Sequence, residues 1–235
     1  MEKQILDIVE SLTSNELPTI ITGLQDLDTL LYNLLPSIKI YHQFKSHDSN
    51  LKNFINLQNN FQFNLMQYLV PIYNYDLSNE NYLLLNKLVQ GLLLIHPTSK
   101  KVFNISKNMK VLLDLLETNT SKELIISLIS TLIHVLLKNF DNYRVFENLN
   151  GCGIIIKHFK LTSFENLQSD TGEKEKDSDN NNLNFKIIEF LMLYLLEEVN
   201  NPTGSKSIEE KSQFFIKDFP EIDSLIENLN QLNNL

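Results

Sequence analysis

Alanine and tryptophan are missing from this 235-residue chain, cysteine and arginine occur once each, and glycine and proline six times each. Each shortage closes off a class of protein. The lone Cys152 allows no disulfide within the chain and no second thiolate for a zinc site, and it fits a reducing compartment. Scarce glycine and proline leave little turn punctuation, which suits a chain of helices. No glycine-rich loop could cradle a phosphate; Gly151-Cys-Gly153 is too short and reads as a tight turn between helices. Acids outnumber bases 29 to 20 and the pI is near 5.0. There is thus no concentrated Lys/Arg stripe of the kind nucleic-acid binding needs. The most apolar run, 82–95, is interrupted by Asn86, Lys87 and Gln90 and stops at Pro97, so it is too short and too polar to insert in a membrane. The first eight residues mix acids with apolar side chains, unlike a secretory signal.

The charge that is present is unevenly spread. Residues 1–164 hold 14 acids and 14 bases, so the excess of −9 lies beyond them. Residues 163–183 are polar, acidic and aperiodic, and the expectation is a disordered acidic loop within a single domain spanning 1–235. A second gap at 200–206 reads as a short linker before C-terminal helices. Asparagine is abundant throughout, which together with the missing alanine resembles a proteome of AT-rich codons more than a sign of disorder.

The informative positive feature is an internal echo. Gln90–Phe103 with Asn108–Leu116 is matched 43 residues later by Ile133–Phe146 with Gly151–Phe159. Phe103 answers Phe146, Lys101 answers Arg144, Leu113 answers Ile156 and Leu116 answers Phe159. A repeat of about 40–47 residues made of helices is the period of armadillo and HEAT proteins. The expected fold is therefore all-α, an armadillo/HEAT-like helical repeat, and such folds present long surfaces to partners.

Apolar spacing of three and four places helices along most of the chain. Expected helices cover 3–13 and 20–35, bounded by Pro18 and Pro36, then 49–70 and 79–95, the last capped by Ser78, with Asn86, Lys87 and Gln90 as a narrow wet side. Short helices follow at 98–104 and 108–117. Thr120-Ser-Lys-Glu123 reads as a capping box opening a helix over 121–138. Asp141 is placed to cap the short helix of Tyr143, Arg144 and Phe146, and Gly151 and Gly153 to turn the chain into 154–160. The spacing of Phe185, Ile188, Leu191, Met192 and Leu195 predicts a helix over 184–199. Ser207-Ile-Glu-Glu210 is a second capping box, and Pro220 suits the first turn of a helix over 220–233.

Catalytic groups do not assemble. The five histidines form no H-E-x-x-H pattern, and His42 and His47 have too few companions for a metal site. A cysteine-dependent phosphatase needs an arginine six residues after its cysteine to hold the phosphate. That position is His158, so Cys152 reads as a small buried hydrophobe. The single arginine, Arg144, points to a use for the planar guanidinium: tying helix ends together through backbone carbonyls, or pairing with Asp141 or Glu147. Glu189, Glu197 and Glu198 read as an acidic flank on a solvated helix face. The expectation is no enzyme, no cofactor and no metal.

Three segments resemble a known family. They are Gln90-Gly-Leu-Leu-Leu-Ile-His-Pro-Thr-Ser-Lys-Lys-Val-Phe103; Asp141-Asn-Tyr-Arg-Val-Phe-Glu147 with Gly151; and Lys186-Ile-Ile-Glu-Phe-Leu-Met-Leu-Tyr-Leu-Leu-Glu-Glu198. In this order they resemble the fungal cell division control protein 14 family of the septation initiation network, which is distinct from the phosphatase of similar name. The resemblance implies a non-catalytic partner of a germinal-centre-type protein kinase, acting in the cytoplasm and on a spindle pole body scaffold to promote septum formation and cytokinesis. The alternative is a structural tether at the spindle pole body or cell cortex with no kinase partner. His96, Lys100, Lys101, Arg144, Glu147, Glu189 and Tyr194, taken from the three segments, are the candidate partner-binding residues.

Overall fold

A computed structural model describes residues 1–44, 48–160, 174–196, 198 and 204–233. Among the described residues all regular structure is helical, and the expected all-α helical repeat is what forms. No described helix is long and apolar enough to cross a membrane. The chain divides into two compact units, Met1–Val102 and Phe103–Leu235.

The first unit contains α1 (Glu2–Leu12), α2 (Leu17–Phe44), α3 (Ser49–Gln58), a short α4 (Met66–Leu69) and α5 (Asn79–Ile95). Helix α1 buries Ile5, Ile8 and Leu12 and packs on α2, which buries Ile20, Leu24 and Leu27. The two backbones come close at Gly23, where a Cβ would sit 2.9 Å from Ser11 Cβ. Two expectations need correction here. Helix α2 does not stop at Pro36 but carries it inside. Leu34 and Ser37 are buried while Tyr32 and Pro36 are exposed, so the hydrogen bond that proline forfeits lies on the wet face. The expected helix over 49–70, by contrast, breaks after Gln58. Asn60 and Asn64 side chains accept from the backbone N–H of Gln62 and Met66, and Gln58 binds the Phe63 carbonyl and the Leu65 N–H. Such side chains offer the backbone an alternative to helical pairing. In α5, Ser78 caps as expected, but Asn86 is not on a wet side: it is buried and accepts from the Tyr73 hydroxyl at 2.6 Å.

The second unit contains α6 (Ser106–Thr118), α7 (Lys122–Leu136), α8 (Phe140–Asn148), α9 (Gly151–Ile156), α10 (Lys174–Tyr194), α11 (Ile208–Ile216) and α12 (Ile222–Asn233). Helix α7 buries Leu124, Leu128, Leu132 and Val135 and packs chiefly against α10, while α9 packs against α6 and α11. Caps fall one or two residues from where the sequence suggests. Ser121, not Thr120, caps α7, and Asn139, not Asp141, caps α8. The Ser207–Glu210 capping box forms as expected. Pro220 lies just before α12, outside its first turn. Gly151 and Gly153 form the first turn of α9 itself. Of the expected acidic loop, 174–183 is the opening of α10, and 163–173 falls outside the described residues. Residues 174–183 contain no glycine or proline, so nothing local prevents the helix buried at Leu183 and Ile187 from continuing backwards.

The 43-residue echo survives in the burial of its matched positions. Phe103 and Phe146, Leu113 and Ile156, and Leu116 and Phe159 are all buried. The matched cations differ, since Lys101 is exposed and Arg144 is only 24% exposed.

Candidate functional site

The sole arginine sits in a network of buried charge. Helix α8 presents Arg144 and Glu147 one turn apart, and the guanidinium donates to both Glu147 oxygens, at 2.8 and 3.1 Å. Its second terminal nitrogen bonds to Glu198, just past α10. Glu198 is fully buried and also accepts from Lys211 Nζ of α11 at 3.2 Å. Lys211 is itself 1% exposed, and it donates to the carbonyls of Tyr194 and Leu196 at 3.0 and 2.7 Å. Lys206 reaches Glu147 at 2.5 Å, and the Tyr194 hydroxyl donates to Glu147 at 2.8 Å. Three cations and two carboxylates thus join α8, the end of α10 and α11. Beneath them lies an aromatic cluster in which Phe190 stacks on Tyr194 and Phe146, Tyr143 and Phe215 surround it, with ring centroids 5.6–6.3 Å apart.

Burial decides how these groups titrate. Desolvation outweighs the neighbouring Glu198 and lowers the Lys211 pKa. Burial, reinforced by Glu198, pushes Tyr143 up to about 12. It raises Tyr194 and the Cys152 thiol far more. A sealed thiol with a raised pKa is not held as a thiolate, so Cys152 is a buried hydrophobe as the sequence suggests.

The expected partner residues therefore fall into two groups. Arg144, Glu147 and Tyr194 are fasteners of the second unit. Of the alternatives read from the sequence, the pair with Glu147 forms; the link to another helix runs through the Glu198 carboxylate and not through backbone carbonyls. Replacing Arg144 by Lys is expected to lower stability by about 1–2 kcal/mol, since one ammonium cannot serve two carboxylates in fixed directions. Urea unfolding measures this, and an unchanged midpoint would contradict the cross-link. Glu198 corrects the acidic-flank expectation: it faces inward, while Glu189 is exposed and pairs with Lys186 at 2.6 Å. Glu197 lies outside the described residues. Lys206 and Lys211 were not singled out by the sequence. Lys211 stands between Ile208 and Phe215 on one helical face, and that apolar spacing is the signal that could have found it.

In the first unit, His96 is buried, with Nε2 3.1 Å from Asn59 Oδ1 and Nδ1 2.8 Å from Ser99 Oγ. A neutral ring donates through Nε2 to Asn59 and accepts at Nδ1 when the single Ser99 hydroxyl proton points to it and not to Asn64 Oδ1, 3.3 Å away. Burial lowers its pKa, and burial likewise lowers that of His158. Both groups bind protons more readily in the unfolded chain, so stability should hold above about pH 6.5 and fall as pH drops below it. Urea midpoints between pH 7.5 and 5.0 measure the slope, and His96→Gln should reduce it, leaving the part due to His158. Lys101 is exposed and Lys100 half-exposed, so neither is spent in the core.

Among the described residues of the second unit, the outer face of α10 is left open. The buried side is Ile187, Phe190, Leu191, Tyr194 and Leu195. This corrects the expected core face, which is rotated from it by about one residue, or 100°. Phe185 and Leu196 are each 62% exposed, Met192 is exposed and Ile188 half-exposed. With spacings of three, four and four, these form one apolar stripe along α10 and just past its end, bordered by Glu189.

A family model described as "Cell division control protein 14, SIN component" matches residues 1–205. The cell division control protein 14 of Schizosaccharomyces pombe is 24% identical over 213 residues, covering 82% of this chain and 82% of that protein. No solved structure matches the chain.

Proposed function

The chain belongs to the cell division control protein 14 family, a SIN component, and on that premise we propose that it is a non-catalytic adaptor that binds a germinal-centre-type protein kinase and promotes septum formation and cytokinesis. It would act in the cytoplasm and on a spindle pole body scaffold. The observation that carries this reading is the stripe of Phe185, Ile188, Met192 and Leu196, which lies within the residues matched by the family model. A row of large apolar side chains left in water on a packed helix is the kind of surface that a protein partner covers. Supporting it, the arginine, the lone cysteine and the tyrosines of the second unit are all committed to its interior, where they fasten helices.

The test is co-purification from dividing cells. Phe185→Asp with Met192→Asp is expected to remove the kinase while leaving the melting temperature within a few degrees of the parent, because neither side chain packs inside. Recovery of no kinase with the parent chain, or full recovery with the double variant, overturns the reading. Normal kinase activity with lost localisation on deletion would instead favour a tether.

A further inference from the structure

We propose that a groove in the first unit seats an acidic amphipathic helix of a partner protein. The groove lies between the second half of α2, α3 and α5 and encloses about 700 Å3. Its walls are Leu31, Leu35 and Ile38 of α2, Leu51 and Ile55 of α3, and Leu94 of α5. On α2 the lining runs from Asp28 to Tyr41. At about 1.5 Å per residue that makes a trough roughly 20 Å long. A compact ligand would leave most of it empty, whereas about three to four turns of helix would fill it with anchors at three- and four-residue spacing.

Exposure shows that the site is unfinished, and its size argues against a second copy. Tyr32 is 71% and Leu94 65% exposed, with Leu35 and Tyr41 also exposed. Covering these four side chains removes on the order of 400 Å2 from this side. A stable dimer buries about 800 Å2 per partner, so this patch is half of what a second copy needs and is ample for one helix.

The rim sets the sign of the helix. Lys87 of α5 lines the groove, and Lys39 and Lys52, outside its lining, each follow a lining residue in sequence, Ile38 on α2 and Leu51 on α3. The one acid among the lining residues, Asp28, is already held by Lys87 at 2.8 Å. Lys39 and Lys52 are exposed and, among the described residues, have no ion pair. Asp48, four residues before Lys52, caps α3 instead by accepting from the Asn50 N–H at 2.7 Å. Two uncommitted cations beside an apolar trough favour a helix whose polar edges are acidic.

The inference does not depend on the kinase reading, which the α10 variants test separately. A photoreactive p-benzoylphenylalanine is placed at Tyr32 of the full chain in dividing fungal cells, and the adduct is sequenced by mass spectrometry. The expected adduct is a segment with apolar residues at three- and four-residue spacing and an excess of acid. Its yield should fall about tenfold with Leu94→Asp. It should fall about threefold with Lys39→Glu combined with Lys52→Glu. All three positions are exposed, so melting should be unchanged; Leu94→Gln is the milder variant if it is not. Adducts to lipid, to a second copy or to a basic segment overturn the proposal. So does a yield no higher than from the same probe at Lys101, outside the groove, or one indifferent to both Leu94 variants.

Discussion

Replacing Glu198 by Ala is expected to cost about 3–5 kcal/mol, the range found when one partner of a buried ion network is removed. The folded chain holds Arg144, Lys206 and Lys211 against Glu147 and Glu198. Without Glu198, three cations share one carboxylate. Lys211 is 1% exposed, so water cannot replace the lost partner. Its two carbonyl acceptors remain, but they carry no net charge. The loss approaches the whole stability of many domains, which is about 5–15 kcal/mol. Replacing both members, Glu198→Leu with Lys211→Met, should recover part of it, because the buried ammonium leaves with its carboxylate, while Arg144 keeps only Glu147 and the Tyr194 and Leu196 carbonyls lose their donor. Denaturant unfolding of the three variants measures the coupling. If Glu198→Ala shifts the midpoint no more than a surface substitution does, the network is not a fastener.

A single methyl group at Gly151 should have an effect of similar order. A Cβ there would stand 2.6 Å or less from Cε2, Cδ2 and Cζ of Phe146, in collision with one edge of the ring. Phe146 is fully buried and packs beside the stacked pair of Phe190 and Tyr194, so the ring has little room to move away. Overpacking of this kind typically costs about 1–3 kcal/mol, and here it falls on the ring that anchors α8, so the upper end is expected. Adding Phe146→Leu to Gly151→Ala should relieve the clash and make the pair less destabilised than the sum of the singles. Thermal melts of the three variants decide it. A Gly151→Ala protein that melts with the parent would mean that α8 and α9 can separate at this turn.

Gly151 also shows how far the sequence could be read. A glycine between two apolar helical segments suggests close approach, and that is its role. What it approaches is set by the path of the chain. The same holds for Arg144. Being the only arginine marks it, and Glu147 three residues away is within reach on any helix. Glu198, 54 residues further on, is a partner that only the folded chain supplies. The break after Gln58 follows from asparagine and glutamine side chains whose competition with the backbone is local. It was legible in principle, but the apolar spacing across it was stronger.

The sequence by itself determined that this chain is helical, where most of its helices lie, that they repeat after 43 residues and which family they resemble. Those properties depend on neighbours within a turn or within one repeat, and apolar spacing records them directly. Only the tertiary structure decided which way α10 faces. From Phe185 to Leu196 that helix is apolar on nearly every side, so its spacing selects no single core face. The choice is made by ring contacts with Phe146, Tyr143 and Phe215 on other helices. That choice buries Phe190 and Tyr194 and leaves Phe185, Met192 and Leu196 in water. The part of α10 that a partner can touch is therefore fixed by packing between elements far apart in the chain, which no local pattern encodes.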